Sequence, residues 1–573
     1  VRFIRIRMVT RLYAPRTFVL GAFFYSKGGN KMNVFIGGAW PYANGSLHIG
    51  HLAGLLPGDV LARYHRNKGD CVLYVSGSDC HGTPISLRAK QENVEAKEIA
   101  SRYHEEFVQA FEALNFSYDV YGRTDKDSHK DFVKKVVLDL EETGALYHKE
   151  SEETYCEACE QFLPDRLVEG ICPVCQKSAR GDQCDHCGEI FDDGDLLEPR
   201  CKICQNKTSK KKTKHAYFAL SNLQEYIEEF TNEHKDRWRI NAVNNTSRYL
   251  KEGLKDRAIT RDLAYGVKVP LEGYQGKSIY VWVDAVLGYL STAQEQVGDL
   301  TKYFSKLDRE YYVHGKDNIP FHTIIFPALK EVIGLSKQEN YIVSSEYLTL
   351  EGRKISTSSN WAIWLPYITA NYQSDAIRYF LLTNNPEKRD ADFSWREFVY
   401  STNAELLGAW GNLVNRTFKF ISKHNDHILP KTEVKLEIVT RVQGLYKEVE
   451  QRFEHLELKG ALDSIFEQVR ALNKFFDEET PWIAKKEDKD ACDQTISTCL
   501  YAIANLAQLL EPFLPDSSRK VLDHLGIHDI SYQEITKIPA KTLDNVDALF
   551  SRIDVKKIEQ EEAILKEQQS LRT

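Results

Sequence analysis

At 573 residues, 42% hydrophobic and 28% charged, the chain has an ordinary globular make-up and room for about three or four domains. That balance excludes a disordered chain and a fibrous repeat, and no apolar run approaches the ~20 residues needed to cross a bilayer. With 75 basic and 83 acidic residues and a net charge of -8, a strongly basic scaffold is excluded as well, so any nucleic-acid contact must use local patches.

Residues 1–31 carry five arginines, two lysines and no acid, with a short apolar stretch around Phe18 to Phe24. Targeting segments share that composition, but Met32 directly precedes the first strand-like run, and an over-extended or dispensable leader is expected instead. Residues 33–38 form a short apolar run ending in two glycines, which suits a buried parallel strand feeding a phosphate-binding turn. Leu52, Leu55, Leu56, Val60 and Leu61 then fall at helical spacing, with Gly69 as the stop. A second strand is predicted over 71–79, followed by helices near 95–114 and 131–144. Strand–helix alternation of this kind argues for a parallel α/β sheet.

Eight of the 12 cysteines lie between 156 and 204 as four C-x2-C pairs: Cys156/Cys159, Cys172/Cys175, Cys184/Cys187 and Cys201/Cys204. Such knuckles read as tetrahedral thiolate ligands for zinc in a reducing compartment, and four pairs suffice for two ions. Four thiolates close a shell, so the role is structural and His186, inside the third pair, is a bystander. The run Lys-Lys-Lys-Thr-Lys over 210–214 reads as a solvated loop, with an RNA contact as the alternative. Strand-like alternation resumes at 278–290, 311–329 and 340–352, and strand signals disappear after about residue 370. Helices are predicted over 404–423, 436–457, 459–477, 491–511 and 516–525. In the fourth, Ile496, Cys499, Leu500, Ile503, Ala507 and Leu510 share one apolar face, which makes Cys499 core and not a ligand. The polar, helix-prone ending reads as a surface helix or a frayed tail.

Two segments carry candidate chemistry. Pro41 to His51 joins the first strand to a helix, where free backbone N–H groups and the positive helix end favour phosphate. His48 and His51 are three apart and share a face there; two imidazole donors over a phosphate cradle stabilise charge as a phosphoryl bond is attacked, and Gly50 permits close approach of a ligand. Gly352 to Ser358 gathers a glycine, two cations and three hydroxyls in seven residues, as a mobile anion-binding loop does.

The string His48-Ile49-Gly50-His51 matches the HIGH signature of class I aminoacyl-tRNA synthetases, and Lys354-Ile355-Ser356-Thr357-Ser358 resembles their KMSKS loop. With the strings at 41–51, 77–85, 162–175, 259–270, 280–289, 315–322 and 479–486, the chain resembles the methionyl-tRNA synthetase family over roughly residues 32 to 560. The resemblance implies a Rossmann-like α/β fold split by a zinc-knuckle insertion and followed by an α-helical bundle. It divides the chain into a leader (1–31), a first catalytic half (32–126), a connective insertion (127–279), a second catalytic half (280–346), a junction with the KMSKS-like loop (347–408), an anticodon-binding bundle (409–554) and a terminal helix or tail (555–573).

It further implies methionine activation by ATP to an adenylate, then transfer to the 3′ end of tRNA(Met), by a cytoplasmic monomer without a membrane partner. His48, Gly50, His51, Gly315, Asp317 and Lys354 would hold ATP, which brings Mg2+; Arg261 would help align methionine and ATP. Ala39, Tyr42, Asp79, Trp282, Ala285, Tyr289, Phe321 and His322 match the methionine pocket, with Asp79 on the α-ammonium and Tyr289 and His322 offering the sulfur its one weak polar contact. Cys172, Cys175, Cys184 and Cys187 would share one Zn2+, and Cys156, Cys159, Cys201 and Cys204 the second. Asn412, Arg416 and Trp482 match positions that read anticodon bases.

Thr357 replaces the family's second loop lysine, a loss of charge-assisted stabilisation of roughly 1.5–3 kcal/mol unless Arg353 or another cation substitutes. Trp40 stands where many relatives have leucine. The competing readings are a non-catalytic zinc-containing tRNA-binding paralogue and another class I synthetase.

Overall fold

The computed structural model describes residues 31–163, 167–180, 196–335, 338–357, 359–543 and 547–570. The leader, Cys184 and Cys187, His186 and Ser358 thus lie outside the described residues, apart from Lys31.

Five parallel strands make the central sheet: β1 (Asn33–Gly38), β2 (Cys71–Ser78) and β3 (Val120–Arg123), then β6 (Arg309–Gly315) and β7 (Glu339–Ser345) from after the insertion. Their order is β7-β6-β1-β2-β3. The chain steps outward from β1 in one direction through β2 and β3, then returns to the other side of β1. The reversal leaves a crevice beyond the carboxyl ends of β1 and β6, where open α/β sheets bind ligands. Both faces of the sheet are covered. In β1, Val34 and Ile36 enter one core and Phe35 the other, as a period of two requires. Helix α1 (Ile49–Lys68) covers the first face.

The second face is covered by α3 (Val281–Val297), over a segment predicted as strand. Residues 281–293 are apolar in nearly every position and almost wholly buried, so periodicity could not separate a helix from a strand. Helix α2 (Asp127–Glu142) packs beside it.

The insertion is built on a long antiparallel ribbon, β4 (Leu146–Cys156) with β5 (Ser209–Phe218), that carries the cysteine knuckles at its far end. The lysine run lies in β5, not in a loop, and Lys214, Lys212 and Lys211 stand opposite Glu150, Glu152 and Glu153. These lysines therefore have acids as cross-strand neighbours, which offsets part of their charge.

Beyond the sheet, a hairpin of β8 (Leu348–Leu350) and β9 (Arg353–Lys354) is joined by β10 (Ala391–Phe393), a strand the sequence did not reveal because it is so short. The bundle comprises α4 (Asn412–His424), α5 (Leu436–Glu454), α6 (Leu458–Glu478) and α7 (Lys489–Leu510), each within a few residues of its predicted span except α4, which continues from a π-helical stretch over 402–411. Cys499 is fully buried within α7. Helix α8 (Lys556–Ser570) is not a frayed tail: Leu565 is buried and Glu561 accepts hydrogen bonds from the hydroxyls of Tyr367 and Tyr372, each at 2.7 Å. No described helix is long and apolar enough to cross a membrane.

Candidate functional site

A cavity of about 1020 Å³ opens at the strand reversal, lined by Ala39, Tyr42, His48, Gly50, His51, Trp282, Gly315, Asp317, Lys354 and Thr357 among others. The turn from β1 into α1 forms its floor. His48 is the N-cap of α1, and its Nδ1 accepts the Gly50 N–H at 3.1 Å; His51 Nδ1 accepts the His48 N–H at 3.2 Å. The two rings lie 3.9 Å apart. Burial, and then the neighbouring His51, drives the His48 pKa well down; burial alone takes His51 to about 4. Both rings are therefore neutral near pH 7. A neutral imidazole whose Nδ1 accepts must carry its proton on Nε2. The turn thus presents two fixed Nε2–H donors and no cation. The neighbours of Gly50 are internal: a Cβ there would meet the His48 ring at 3.0 Å and Ile355 Cδ1 at 3.3 Å, so glycine admits the ring and the loop.

Lys354 reaches the cavity from the β8–β9 hairpin, 5.6 Å from the centre of the Tyr347 ring. Thr357 lines the cavity with it, whereas Arg353 is not among the lining residues. Its guanidinium stacks on Trp361 at 4.0 Å and donates to Gln569 Oε1 of α8 at 3.4 Å. Asp317 faces the cavity and accepts a hydrogen bond from the Tyr347 hydroxyl. Arg261 is not brought to the cavity: Nη1 donates to the Ala258 and Thr260 carbonyls, both at 2.8 Å, and the guanidinium lies 4.0 Å over Tyr280. These bonds hold Nη1 to its own segment of chain.

The expected methionine residues divide into a wall and a layer behind it. Ala39, Tyr42 and Trp282 face the cavity. Trp282 meets Tyr42 edge-on at 5.7 Å and stacks on Phe321 at 4.6 Å. Behind them Asp79, Ala285, Tyr289 and His322 are buried. Asp79 is tied to the wall by backbone bonds, its N–H to Pro41 O at 2.9 Å and Ala43 N–H to its carbonyl at 2.8 Å. Phe321 and His322 begin a π-helical turn, a widening common at functional sites. His322 Nδ1 bonds the Asn318 carbonyl at 2.9 Å, and burial takes its pKa to about 4. Its Nε2 must then accept the Tyr289 hydroxyl, 3.0 Å away. That hydroxyl proton is spent, so the expected polar contact to sulfur is closed while this bond stands. Trp40 fills a niche against Gly77, Gly122 and Gly288, where any Cβ would fall within 3.0 Å of its indole. Sequence reasoning also missed Asp284, whose signal was a lone acid in an otherwise apolar run.

At the insertion tip, the sulfurs of Cys156, Cys159, Cys201 and Cys204 lie within 4.8 Å of one another, with Cys156–Cys204 at 3.4 Å and Cys159–Cys201 at 3.9 Å. Four thiolates about 2.3 Å from a tetrahedral zinc sit roughly 3.8 Å apart, so this group fits the ion. Cys172 and Cys175 form a knuckle of the same build as Cys201 and Cys204, each closed by a glutamine at positive φ, Gln176 at 58° and Gln205 at 62°. In the bundle, three expected anticodon residues converge on α6: Asn412 donates to Asn473 at 3.0 Å, Arg416 stacks 4.1 Å over Phe476, and Trp482, 46% exposed, lies 6.3 Å from Phe476.

A parallel sheet that reverses over a His-x-Gly-His turn, faced by a cationic hairpin, is the architecture of the class I aminoacyl-tRNA synthetases. Comparison with known proteins agrees. Residues 34–418 match the family model for class I tRNA synthetases (M), and 430–568 match the anticodon binding domain of methionyl tRNA ligase. The chain therefore belongs to the methionyl-tRNA synthetase family. A methionine–tRNA ligase of Bacillus mycoides is 55% identical over 92% of this chain and 98% of its own length. Methionine–tRNA ligase 1 of Alkaliphilus oremlandii is 53% identical over 93% of this chain and 100% of its own. The fold matches that of Mycobacterium tuberculosis methionyl-tRNA synthetase, solved with methionyl-adenylate, with a TM-score of 0.77 and 23% identity over 91% of this chain and all of the other.

Proposed function

We propose that the protein is a methionine–tRNA ligase that joins methionine to ATP as methionyl-adenylate and transfers the acyl group to tRNA(Met). The observation that carries this reading is the His48–His51 pair, whose Nδ1 atoms are occupied by backbone amides and whose Nε2–H donors remain for phosphate.

ATP enters with its magnesium as part of the substrate, its triphosphate over the α1 turn and its ribose beside Gly315 and Asp317. Methionine lies against Tyr42 and Trp282, its ammonium directed to Asp79. The carboxylate oxygen attacks the α-phosphorus, and the bond to the bridging oxygen breaks to release pyrophosphate. His48, His51 and Lys354 meet the charge that builds on the phosphate oxygens, a contribution of positioning and electrostatics. The terminal adenosine hydroxyl of tRNA then attacks the acyl carbon, and AMP leaves.

Cys156, Cys159, Cys201 and Cys204 would hold one structural zinc, and Cys172 and Cys175 half of a second site with Cys184 and Cys187. The full thiolate shell assigns zinc no step in the chemistry. Asn412, Arg416 and Trp482 would read anticodon bases by stacking and edge contacts. We expect the enzyme to act as a cytoplasmic monomer.

Methionine-dependent ATP–pyrophosphate exchange, run against each of the other amino acids, tests the reading. Exchange with methionine and little with leucine, isoleucine, valine or cysteine is expected. No exchange with any amino acid would leave the tRNA-binding paralogue.

A further inference from the structure

Helix α3 is apolar along most of its length, yet it carries Asp284 with no exposed surface. Both carboxylate oxygens are taken. Oδ2 meets His81 Nδ1 at 2.7 Å, and Oδ1 meets His129 Nε2 of α2 at 2.6 Å. His129 Nδ1 reaches Ser291 Oγ at 2.7 Å, two turns further along α3. His81 also bonds Asp79, its backbone N–H donating to Oδ1 at 3.1 Å. One histidine therefore links two buried carboxylates, by its ring to one and by its backbone to the other.

The two carboxylates divide the charge unequally. Burial pushes Asp284 up, but His81 and His129 outweigh it and hold the group at about 2. Burial, and then the Asp284 charge, push Asp79 well above the carboxylate range, against the pull of the His81 N–H. Cys80 and Tyr265 also lie within electrostatic reach of Asp79, and Arg123 is spent on Asp125, with Nη2 and Oδ2 2.7 Å apart. Among the described residues no lysine or arginine is paired with Asp79. Two buried carboxylates bridged by one histidine, with no described lysine or arginine paired to either, do not readily both ionise.

Resting on the reading of Asp79 as the ammonium anchor, we propose that Asp284, held by His81 and His129, is a positioning residue for the amino acid: it keeps a second negative charge beside Asp79, so the substrate ammonium enters by displacing the proton of the Asp79 carboxyl. The balance is simple. The Asp79 O–H bond breaks, its proton goes to solvent, and the ammonium keeps all three of its own protons and becomes the counterion. An amino acid is thereby selected in its ammonium form, and its binding consumes base.

The test is methionine binding to the whole protein by calorimetry in buffers of different ionisation enthalpy, with the KM for methionine in pyrophosphate exchange over the same pH range. For the unmutated protein, affinity should rise about tenfold per pH unit until Asp79 is ionised in the free enzyme, then level off. Below that break about one proton should be released for each methionine bound. Asp284→Asn should move the break at least about one unit to lower pH, because the neighbouring charge is gone. If Asp284→Asn fails to fold, His129→Leu serves in its place. Losing a donor, Asp284 should take up a proton, and the break should move the same way. His129→Gln keeps an amide donor at the Nε2 position and should restore the original break. A purely structural role would change kcat or the melting temperature and leave the break in place. Pyrophosphate exchange with methionine but without proton release, or with a break that none of these variants moves, would overturn the proposal while leaving the ligase reading intact. A protein without methionine-dependent exchange at any pH would lose both.

Discussion

Arg378 Nη2 and Asp59 Oδ2 meet at 2.8 Å, and neither side chain keeps any exposed surface. Asp59 lies on α1, the helix that begins at the histidine turn. Arg378 also donates to the carbonyls of Phe513 at 2.8 Å, Pro512 at 2.9 Å and Leu114 at 3.1 Å. One guanidinium therefore locks the helix under the candidate site to the chain that closes the bundle. Arg63 at 2.9 Å and Ser117, through its N–H at 2.6 Å and its hydroxyl at 2.7 Å, complete the carboxylate's partners.

Removing one partner leaves a buried charge short of a counterion, although Asp59 still keeps Arg63. Arg378→Met or Asp59→Asn should each cost about 3–5 kcal/mol in urea unfolding. The acid limb should show the same pair. Burial pushes the Asp59 pKa up, but Arg63, Arg378 and Ser117 outweigh it and hold it at about 2, against an ordinary 3.8. Its contribution is complete above 3.8 and disappears as pH falls through about 2. The unmutated protein should lose stability across that window, and Asp59→Asn should lose less there.

The hairpin separates its two cations. Lys354→Ala should lower pyrophosphate exchange about 100-fold, as for loss of a transition-state donor. Arg353→Ala should lower it far less, because that guanidinium is stacked on Trp361 outside the cavity. Equal losses in the two variants would contradict the assignment.

Trp282 is a wall, and its loss should read as a binding defect in one substrate. Trp282→Ala removes the ring stacked on Phe321. The KM for methionine should rise at least about tenfold, on the scale of a buried aromatic contact, with the KM for ATP little changed. Parallel increases in both would place the ring elsewhere in the chemistry.

Trp482→Ala should reduce kcat/KM for tRNA aminoacylation about tenfold or more, the scale of a lost base-stacking contact, and leave pyrophosphate exchange near its original rate. Loss of both activities would indicate a damaged bundle.

Metal analysis should find two zinc ions per chain, and Cys201→Ser should remove one. A single zinc per chain in the unmutated protein would eliminate the second site.

Much of this was legible before the fold. The β1 strand, the turn into α1 and the bundle helices announce themselves because their apolar residues recur at clean periods of two or 3.6. Helix α3 did not, since a helix buried on nearly all sides loses its polar face and with it its signature. The cysteine spacing revealed the knuckles and the resemblance their grouping, and the ribbon of β4 and β5 shows how Cys156 and Cys159 come to meet Cys201 and Cys204. Arg261 and Arg353 were visible as cations near the right motifs. Where their guanidinium planes come to rest depends on Tyr280 and Trp361, aromatic partners that their position in the motifs did not reveal. The His81–Asp284–His129 chain joins residues up to 203 positions apart, beyond the reach of any local pattern.

The last turns of α8 rest on the segment that carries Lys354. Asn360 Nδ2 donates to the Gln568 carbonyl at 2.8 Å, beside the bond from Arg353 to Gln569. A swing of the cationic hairpin toward bound nucleotide must therefore either carry this helix end along or shed it. An affinity tag fused beyond Ser570 would pull on the same two bonds, so a label placed for convenience becomes a perturbation of turnover.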